Sequence, residues 1–143
     1  MQHIAIMKKS WGLTNKILAG EKTIETRWYK NRYKPWSCIK KGDTIYFKDS
    51  GEPVTVKAIV DKVEQYENLT KDKINKLLEK YSSKDLGTDD ITKEIKDYVK
   101  GKRYTIIIFL KKPTKIEPFS INKSGFGAMA SWICVEDVNK IKI

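Results

Sequence analysis

Residues 104–110 constrain the fold of this chain more than any other stretch. Almost all of these residues are β-branched or aromatic, and no charged side chain interrupts them. A short run of this composition is typical of a strand that is covered on both faces. We therefore predict an interior strand here, and we expect Lys111, Lys112 and Pro113 to end it.

Other segments also have the alternation or composition of strands, and they span residues 2–7, 22–29, 44–47, 54–64 and 130–135. A turn containing Gly51 and Pro53 separates two of them, which predicts an antiparallel hairpin. In the strand after this turn the alternation runs up to Val60 and then slips. This order of strands and short turns predicts a meander.

A first helix is predicted between the first two strands. Ser10 is expected to cap it, Leu13, Ile17 and Leu18 to form its buried stripe, and Gly20 to end it in a left-handed conformation.

The centre of the chain has helical periodicity. Thr70 is expected to cap a helix that continues to Tyr81, followed by a polar linker over residues 82–89 and a second helix over residues 90–100. We expect both helices to cover the sheet with their lysines in solvent, and we assign them no chemistry.

The composition predicts a single basic domain. The chain has 143 residues and a formal net charge of +11, mostly from lysine, which favours association with polyanions such as nucleic acid. A general bias toward lysine is the alternative explanation of this charge. No apolar run is long enough for a transmembrane helix, and residues 1–7 do not resemble a signal peptide. We therefore expect a cytoplasmic protein with no membrane partner.

Residues 20–27 combine dense charge with a predicted helix–strand junction. Within six residues they place the cation Lys22, the hydroxyl of Thr23, the carboxylate Glu25 and the guanidinium Arg27. Such groups fixed at short range suit the binding of an anionic or amide-bearing ligand. The alternative is a solvated strand with an ordinary Glu25–Arg27 ion pair, which contributes little to stability.

The strand pleat sets a condition on this site. On a regular strand Lys22 lies on one face, whereas Glu25 and Arg27 lie on the other. Lys22 can therefore meet Glu25 only if the strand is irregular at its start, where Gly20 permits a bend.

The next segment, up to Cys38, interleaves aromatic rings with cations. Such alternation suits base stacking and phosphate contact, although aromatic residues also cover the ends of small barrels. The candidate stacking residues are Trp28, Tyr29 and Trp36, and the candidate phosphate contacts are Lys30, Arg32 and Lys34.

Other chemistries are disfavoured. His3 is the only histidine, and we expect it to be a partly exposed residue of the first strand rather than a catalytic base. Cys38 and Cys134 are far apart in sequence and lack the spacing of metal ligands, so we expect two free buried thiols. No metal and no cofactor is therefore expected.

Residues 20–27 and the helix before them resemble the G-x-K-x-x-E-x-R signature of ASCH domains, which belong to the PUA-like superfamily. Gly20, Lys22, Glu25 and Arg27 occupy the signature positions. Three later segments also look like ASCH positions, namely residues 41–43, the Gly-Phe-Gly of residues 125–127 and the Trp-Ile of residues 132–133. The likeness covers nearly the whole chain.

The resemblance implies an α+β fold, namely a PUA-like small β-barrel of about five to six mostly antiparallel strands with flanking helices. It also implies one domain over residues 1–143, with a helical elaboration at about 70–100 and a cleft where the signature meets a helix. Relatives in the superfamily bind RNA or modified nucleobases.

Some bacterial ASCH proteins that resemble this chain at Lys22 are amidohydrolases of N4-acetylated cytidine nucleosides. The resemblance would make Lys22 catalytic, together with a threonine three residues later and a glutamate from a later segment. Here Glu25 occupies the threonine position, and Glu64 and Glu67 are candidates for the later glutamate.

Two functions follow as hypotheses. The favoured one is a module that binds RNA, a nucleoside or a nucleotide, and the alternative is a nucleoside amidohydrolase or ribonuclease with Lys22 and Glu25 as catalytic residues. A plain interaction domain is a third interpretation. The expected ligand-binding residues are Lys22, Thr23, Glu25, Arg27, Trp28, Tyr29, Arg32 and Trp36. The sequence makes no prediction of the oligomeric state.

Overall fold

The apolar runs form one mixed sheet in a computed structural model that describes residues 1–88, 90–127 and 129–143. The six strands of the described chain are β1 (Gln2–Met7), β2 (Ile24–Tyr29), β3 (Thr44–Asp49), β4 (Val54–Tyr66), β5 (Tyr104–Phe119) and β6 (Trp132–Val135). The α-helices are α1 (Leu13–Leu18), α2 (Lys71–Leu86) and α3 (Lys93–Val99). Short 3-10 turns occupy Lys9–Trp11 and Val138–Lys140.

The strand order is β2-β5-β4-β3-β1-β6. The neighbouring strands pair antiparallel except β1 and β3, which are parallel. Strands β3, β4 and β5 follow one another in the sheet as the predicted meander, with α2 and α3 inserted between β4 and β5. The predicted α+β architecture is confirmed.

The sheet curls into a half-barrel, and Arg27 shows how far it curls. Strands β2 and β1 are four strand spacings apart in the sheet order, which is about 19 Å in a flat sheet. Yet a guanidinium nitrogen of Arg27 on β2 lies 3.3 Å from the main-chain oxygen of Ile6 on β1. Only strong curvature brings the two sides of the sheet within reach of one side chain.

Strands β4 and β5 are longer than predicted because bulges let them bend rather than stop. The register of this pair shifts between Val60 and Lys62, where the sequence alternation slips. Strand β5 continues to Phe119, so the prediction that residues 111–113 end it is wrong. Lys112 has a φ of 53°, a left-handed conformation that an L-residue rarely adopts within a strand.

Helix α1 begins later than predicted. Ser10 lies in the 3-10 turn, and Gly12, with a φ of 63°, separates this turn from the helix and occupies its N-cap position. Leu18 is 37% exposed and is not part of the buried stripe, because it lies about 100° around the helix from the buried Ile17. Gly20 has the predicted left-handed conformation.

Helix α2 begins as predicted but ends later. The Thr70 hydroxyl accepts a hydrogen bond from the Lys73 N–H and so caps the helix. The helix continues to Leu86, so residues 82–86 of the predicted polar linker are helical. Asp89, at the end of that linker, lies outside the described residues. Helix α3 begins at Lys93 and is capped by Thr92.

Strand β2 separates the main core from the helical layer. On one face Glu25 and Arg27 lie opposite Ile108 and Ile106, which are fully buried in the main core. On the other face Trp28 packs in the hydrophobic cluster of α2. The signature residues thus lie at the junction of two layers, at one edge of the sheet.

None of the helices in the described residues is both long and apolar enough to cross a membrane.

The interior position of β5 predicts an uneven cost of truncation along this strand. Ile106→Ala should lower the free energy of unfolding by about 2–5 kcal/mol, because it opens a cavity in the main core. Ile116→Ala, at the half-buried distal part of the same strand, is the control and should cost clearly less. Urea denaturation measures both, and equal losses would contradict the layer assignment.

Candidate functional site

Four charged side chains meet beside the start of β2 and form what we call the charge cluster: Lys22, Glu25, Arg27 and Asp85. Lys22 lies just before the strand, in the bend after α1, where its N–H donates to the main-chain oxygen of Lys16. Its side chain is completely buried. The Lys22 ammonium donates to the main-chain oxygen of Asp85 at 2.6 Å and to its carboxylate at 2.5 Å.

Lys22 also meets the condition that the pleat sets. Since it precedes the regular part of β2, its Nζ approaches Glu25 Oε1 to 3.5 Å, although the two residues differ in strand parity. The bend at Gly20, with a φ of 79°, permits this approach.

Glu25 has one satisfied and one unsatisfied oxygen. Its Oε1 accepts the N–H of Thr26 at 3.0 Å. Its Oε2 is buried, lies 3.7 Å from the Arg27 guanidinium, and accepts no hydrogen bond from any residue that the structure describes. A buried carboxylate oxygen without a donor is costly, so this atom calls for a donor from water or from a ligand.

Arg27 closes the half-barrel above this carboxylate. Its guanidinium donates to the main-chain oxygens of Ser131 at 3.2 Å and Ile6 at 3.3 Å. It also lies 5.0 Å from the centre of the Trp132 ring. These contacts hold the guanidinium, and with it a positive charge, at a fixed position beside Glu25.

Asp85 connects the cluster to the helical layer. The Thr26 hydroxyl donates to its Oδ2 at 2.8 Å and accepts the indole N–H of Trp28 at 3.0 Å. Burial raises the pKa of Asp85, while the ammonium of Lys22 opposes this rise. The aspartate is thus held at its position by a lysine, a threonine and a helix.

The cluster opens on a cleft of about 610 Å³, which is the size of a small-molecule site. Every member of the cluster except Lys22 lines it, and Lys22 lies behind Glu25 and Asp85. Aromatic rings supply much of the remaining wall, namely Trp11, Trp28, Tyr81 and Tyr98. Trp28 and Tyr81 are themselves buried, so the rings with accessible surface beside the fixed polar groups are Trp11 and Tyr98.

Tyr98 carries a neutral hydroxyl at this wall. Although the residue is 41% exposed, partial desolvation at the wall raises its pKa; Arg27 opposes this rise, and the carboxylates of Glu25 and Asp85 add to it. A phenol with a raised pKa keeps its proton at neutral pH and can donate a hydrogen bond to a ligand.

Four of the predicted binding residues lie elsewhere. Thr23 is exposed and does not line the cleft, and Tyr29 donates its hydroxyl proton to the main chain of Lys34. Arg32 stacks over the ring of Trp36 on a separate surface. Their roles in ligand binding stay predictions.

The second carboxylate of the site is Asp85 rather than either predicted glutamate. Glu64 accepts the hydroxyl protons of Tyr66 and Tyr81 and so lies behind the cleft wall. Glu67 pairs with Arg32 at the surface. Neither lines the cleft.

The central helices, to which the sequence assigns no chemistry, contribute Asp85 to the charge cluster and to the cleft lining. The sequence contains a signal for this residue, because Leu78, Tyr81 and Asp85 lie at i, i+3 and i+7 on one helix face. Because the predicted helix ends at Tyr81, the prediction places Asp85 in a linker and not on that face.

His3 and the two cysteines also require correction. His3 is completely buried rather than partly exposed. The sulfurs of Cys38 and Cys134 lie 2.9 Å apart despite their separation in sequence, and Cys38 is only half-buried. Sequence spacing is therefore no argument against a metal site here.

Comparison with solved structures identifies the fold. The ASCH protein of Zymomonas mobilis matches with a TM-score of 0.68 at 16% sequence identity, over 94% of this chain and 87% of that chain. A serine-to-alanine mutant of the same protein matches equally well, with 0.68 at 15% identity over 97% and 91%. The hypothetical protein PH0355 matches with 0.54 at 22% identity, over 81% of this chain and all of the other, 100%.

No protein-family model and no curated protein sequence matches this chain. At these identities the structural likeness establishes the fold. The chain has the α+β fold of the Zymomonas mobilis ASCH protein, and this is the fold that the resemblance of its signature predicts.

The hydrogen-bond chain through Thr26 predicts a measurable cost of removing one hydroxyl. Thr26→Val removes the donor to Asp85 Oδ2 and leaves the Trp28 indole N–H without an acceptor, while Lys22 still donates to Asp85 Oδ1, so the free energy of unfolding should fall by about 1–3 kcal/mol. Thr55→Val, at a half-buried position of β4, is the matched control and should change it by less than about 0.5 kcal/mol. Urea denaturation separates the two, and an equally small effect of Thr26→Val would show that the chain of hydrogen bonds is not formed.

Proposed function

We propose that the protein binds a nucleoside, as such or within single-stranded RNA, with the base in the cleft beside the charge cluster. The observation that carries this proposal is the buried Oε2 of Glu25, which has no donor among the described residues. An exocyclic amine of a nucleobase is a donor of the required kind.

The walls of the cleft support the same ligand class. The partly exposed rings of Trp11 and Tyr98 line the same cleft as Glu25, and base stacking on such rings is a common mode of recognition in single-stranded RNA. The net charge of +11 favours the approach of a phosphate backbone. The cations Lys30, Arg32 and Lys34 remain candidates for contacts with that backbone outside the cleft.

Glu25→Gln tests the proposal with little change in shape. Binding of cytidine, measured by isothermal titration calorimetry, should weaken roughly tenfold or more, because a charge-assisted hydrogen bond is lost. Uridine, which carries a carbonyl where cytidine carries the amine, should bind more weakly to the wild type. Glu79→Gln on the exposed face of α2 is the control and should leave cytidine binding unchanged.

Equal affinities for cytidine and uridine, or an unchanged affinity in Glu25→Gln, would contradict the proposal. For RNA, the affinity for a single-stranded oligonucleotide should fall steeply as salt is added. A melting curve of Glu25→Gln establishes that any loss of binding is not a loss of folding.

The contact of Lys22 with Glu25 supports a second candidate, a hydrolase of N4-acylated cytidine or of RNA. A lysine beside a carboxylate can act as a nucleophile or as a general acid and base. The burial of Lys22 behind the cleft and its hydrogen bonds to Asp85 favour binding instead. Release of cytidine from N4-acetylcytidine, or cleavage of RNA, that disappears in Lys22→Ala would establish the enzyme, and no turnover at high protein concentration would exclude it.

A further inference from the structure

A second cluster of reactive side chains lies apart from the cleft lining and consists of His3, Cys38 and Cys134. They come from three separate segments: β1, the loop before β3, and β6. One ligand atom from each lies within 4.8 Å of the other two. The proposed function uses none of these residues, and we call them the thiol–histidine cluster.

The ring of His3 is oriented as in metal-binding histidines. Its Nε2 lies 2.8 Å from the carboxylate of Asp43, which assigns the Nε2 proton as the donor of this hydrogen bond. The lone pair of Nδ1 then accepts the indole N–H of Trp132 at 3.1 Å, and the sulfur of Cys134 lies at 3.2 Å from the same nitrogen. Histidine ligands of metals commonly donate their other N–H to a carboxylate, which fixes the ring and raises its basicity.

We propose that the thiol–histidine cluster binds a thiophilic metal ion, with Zn²⁺ as the ion that its donor set fits. The ligands are Nδ1 of His3 and the two sulfurs, and both thiols lose their protons on binding. Two thiolates and an imidazole select such ions over Mg²⁺ or Ca²⁺, which prefer oxygen ligands.

Binding requires two small movements. With Zn–S bonds of about 2.3 Å, two sulfurs on a tetrahedral ion lie about 3.7 Å apart, so the pair must open from its present 2.9 Å. Cys38 can move because it lies half-buried in a loop. The indole N–H of Trp132, now 3.1 Å from Nδ1 of His3, must also give way.

The competing fate of the cluster is a disulfide. An oxidant such as a peroxide or a small-molecule disulfide would take two electrons and both thiol protons as the sulfur–sulfur bond forms. A disulfide would remove the thiolate ligands, so the two states exclude each other, and the experiment must keep the thiols reduced.

The test is a titration of the reduced full chain with Co²⁺ and Zn²⁺ in a phosphine reductant. Co²⁺ should give thiolate-to-metal charge-transfer absorption with one ion per chain, and one equivalent of Zn²⁺ should abolish this absorption. Zn²⁺ should also raise the melting temperature, whereas Mg²⁺ should not.

Two variants separate this site from casual surface binding. Cys38→Ser, at the half-buried ligand, should remove most of the charge-transfer absorption and weaken Zn²⁺ binding at least tenfold. Asp43→Asn keeps all three ligands and should weaken Zn²⁺ binding by about 10–100-fold, because Asp43 is a positioning residue. Melting curves without metal establish that both variants fold.

Absence of thiolate-to-Co²⁺ absorption in the reduced wild type would overturn the proposal. So would Zn²⁺ affinity that is unchanged in a folded Cys38→Ser variant, because the ion would then bind elsewhere. Disulfide formation that proceeds equally fast with and without excess Zn²⁺ would also overturn it.

Discussion

The buried ammonium of Lys22 is the contact on which the arrangement of the cleft depends. It touches Asp85 of α2 directly and Glu25 of β2 at 3.5 Å, so one side chain joins the helical layer to the edge of the sheet. A charge without solvent is costly, and removing one partner of a buried pair commonly costs more than the pair itself contributes. Helix α2 and strand β2 are therefore held in the relative position that places both carboxylates at the cleft.

Arg27 has the corresponding role across the open side of the half-barrel. Its guanidinium ties β2 to the end of β1 and to Ser131 before β6. Glu25 therefore lies between the two cations Lys22 and Arg27. Its Oε2 has no hydrogen-bond donor among the described residues. A buried polar atom left without a partner at a cleft marks a candidate ligand-binding position.

The sequence predicts the α+β fold and where the strands lie, though not where β5 ends, because alternation and turn residues are local properties. It misses Asp85, since a helix end depends on packing that the sequence shows only weakly, and it misses the burial of His3. The meeting of Cys38 and Cys134 is a consequence of the curl of the sheet, which no local pattern encodes. Contacts between distant segments arise from the tertiary structure and leave no local pattern in the sequence.

A double-mutant cycle on Lys22 and Asp85 measures whether these two residues are energetically coupled. The free energies of unfolding of Lys22→Met, Asp85→Asn and the double variant are measured by urea denaturation. We expect the double variant to lose less stability than the two single changes added together, by at least about 1.5 kcal/mol. Losses that add within about 0.5 kcal/mol would contradict this coupling, because the two residues would then contribute independently to the free energy of unfolding.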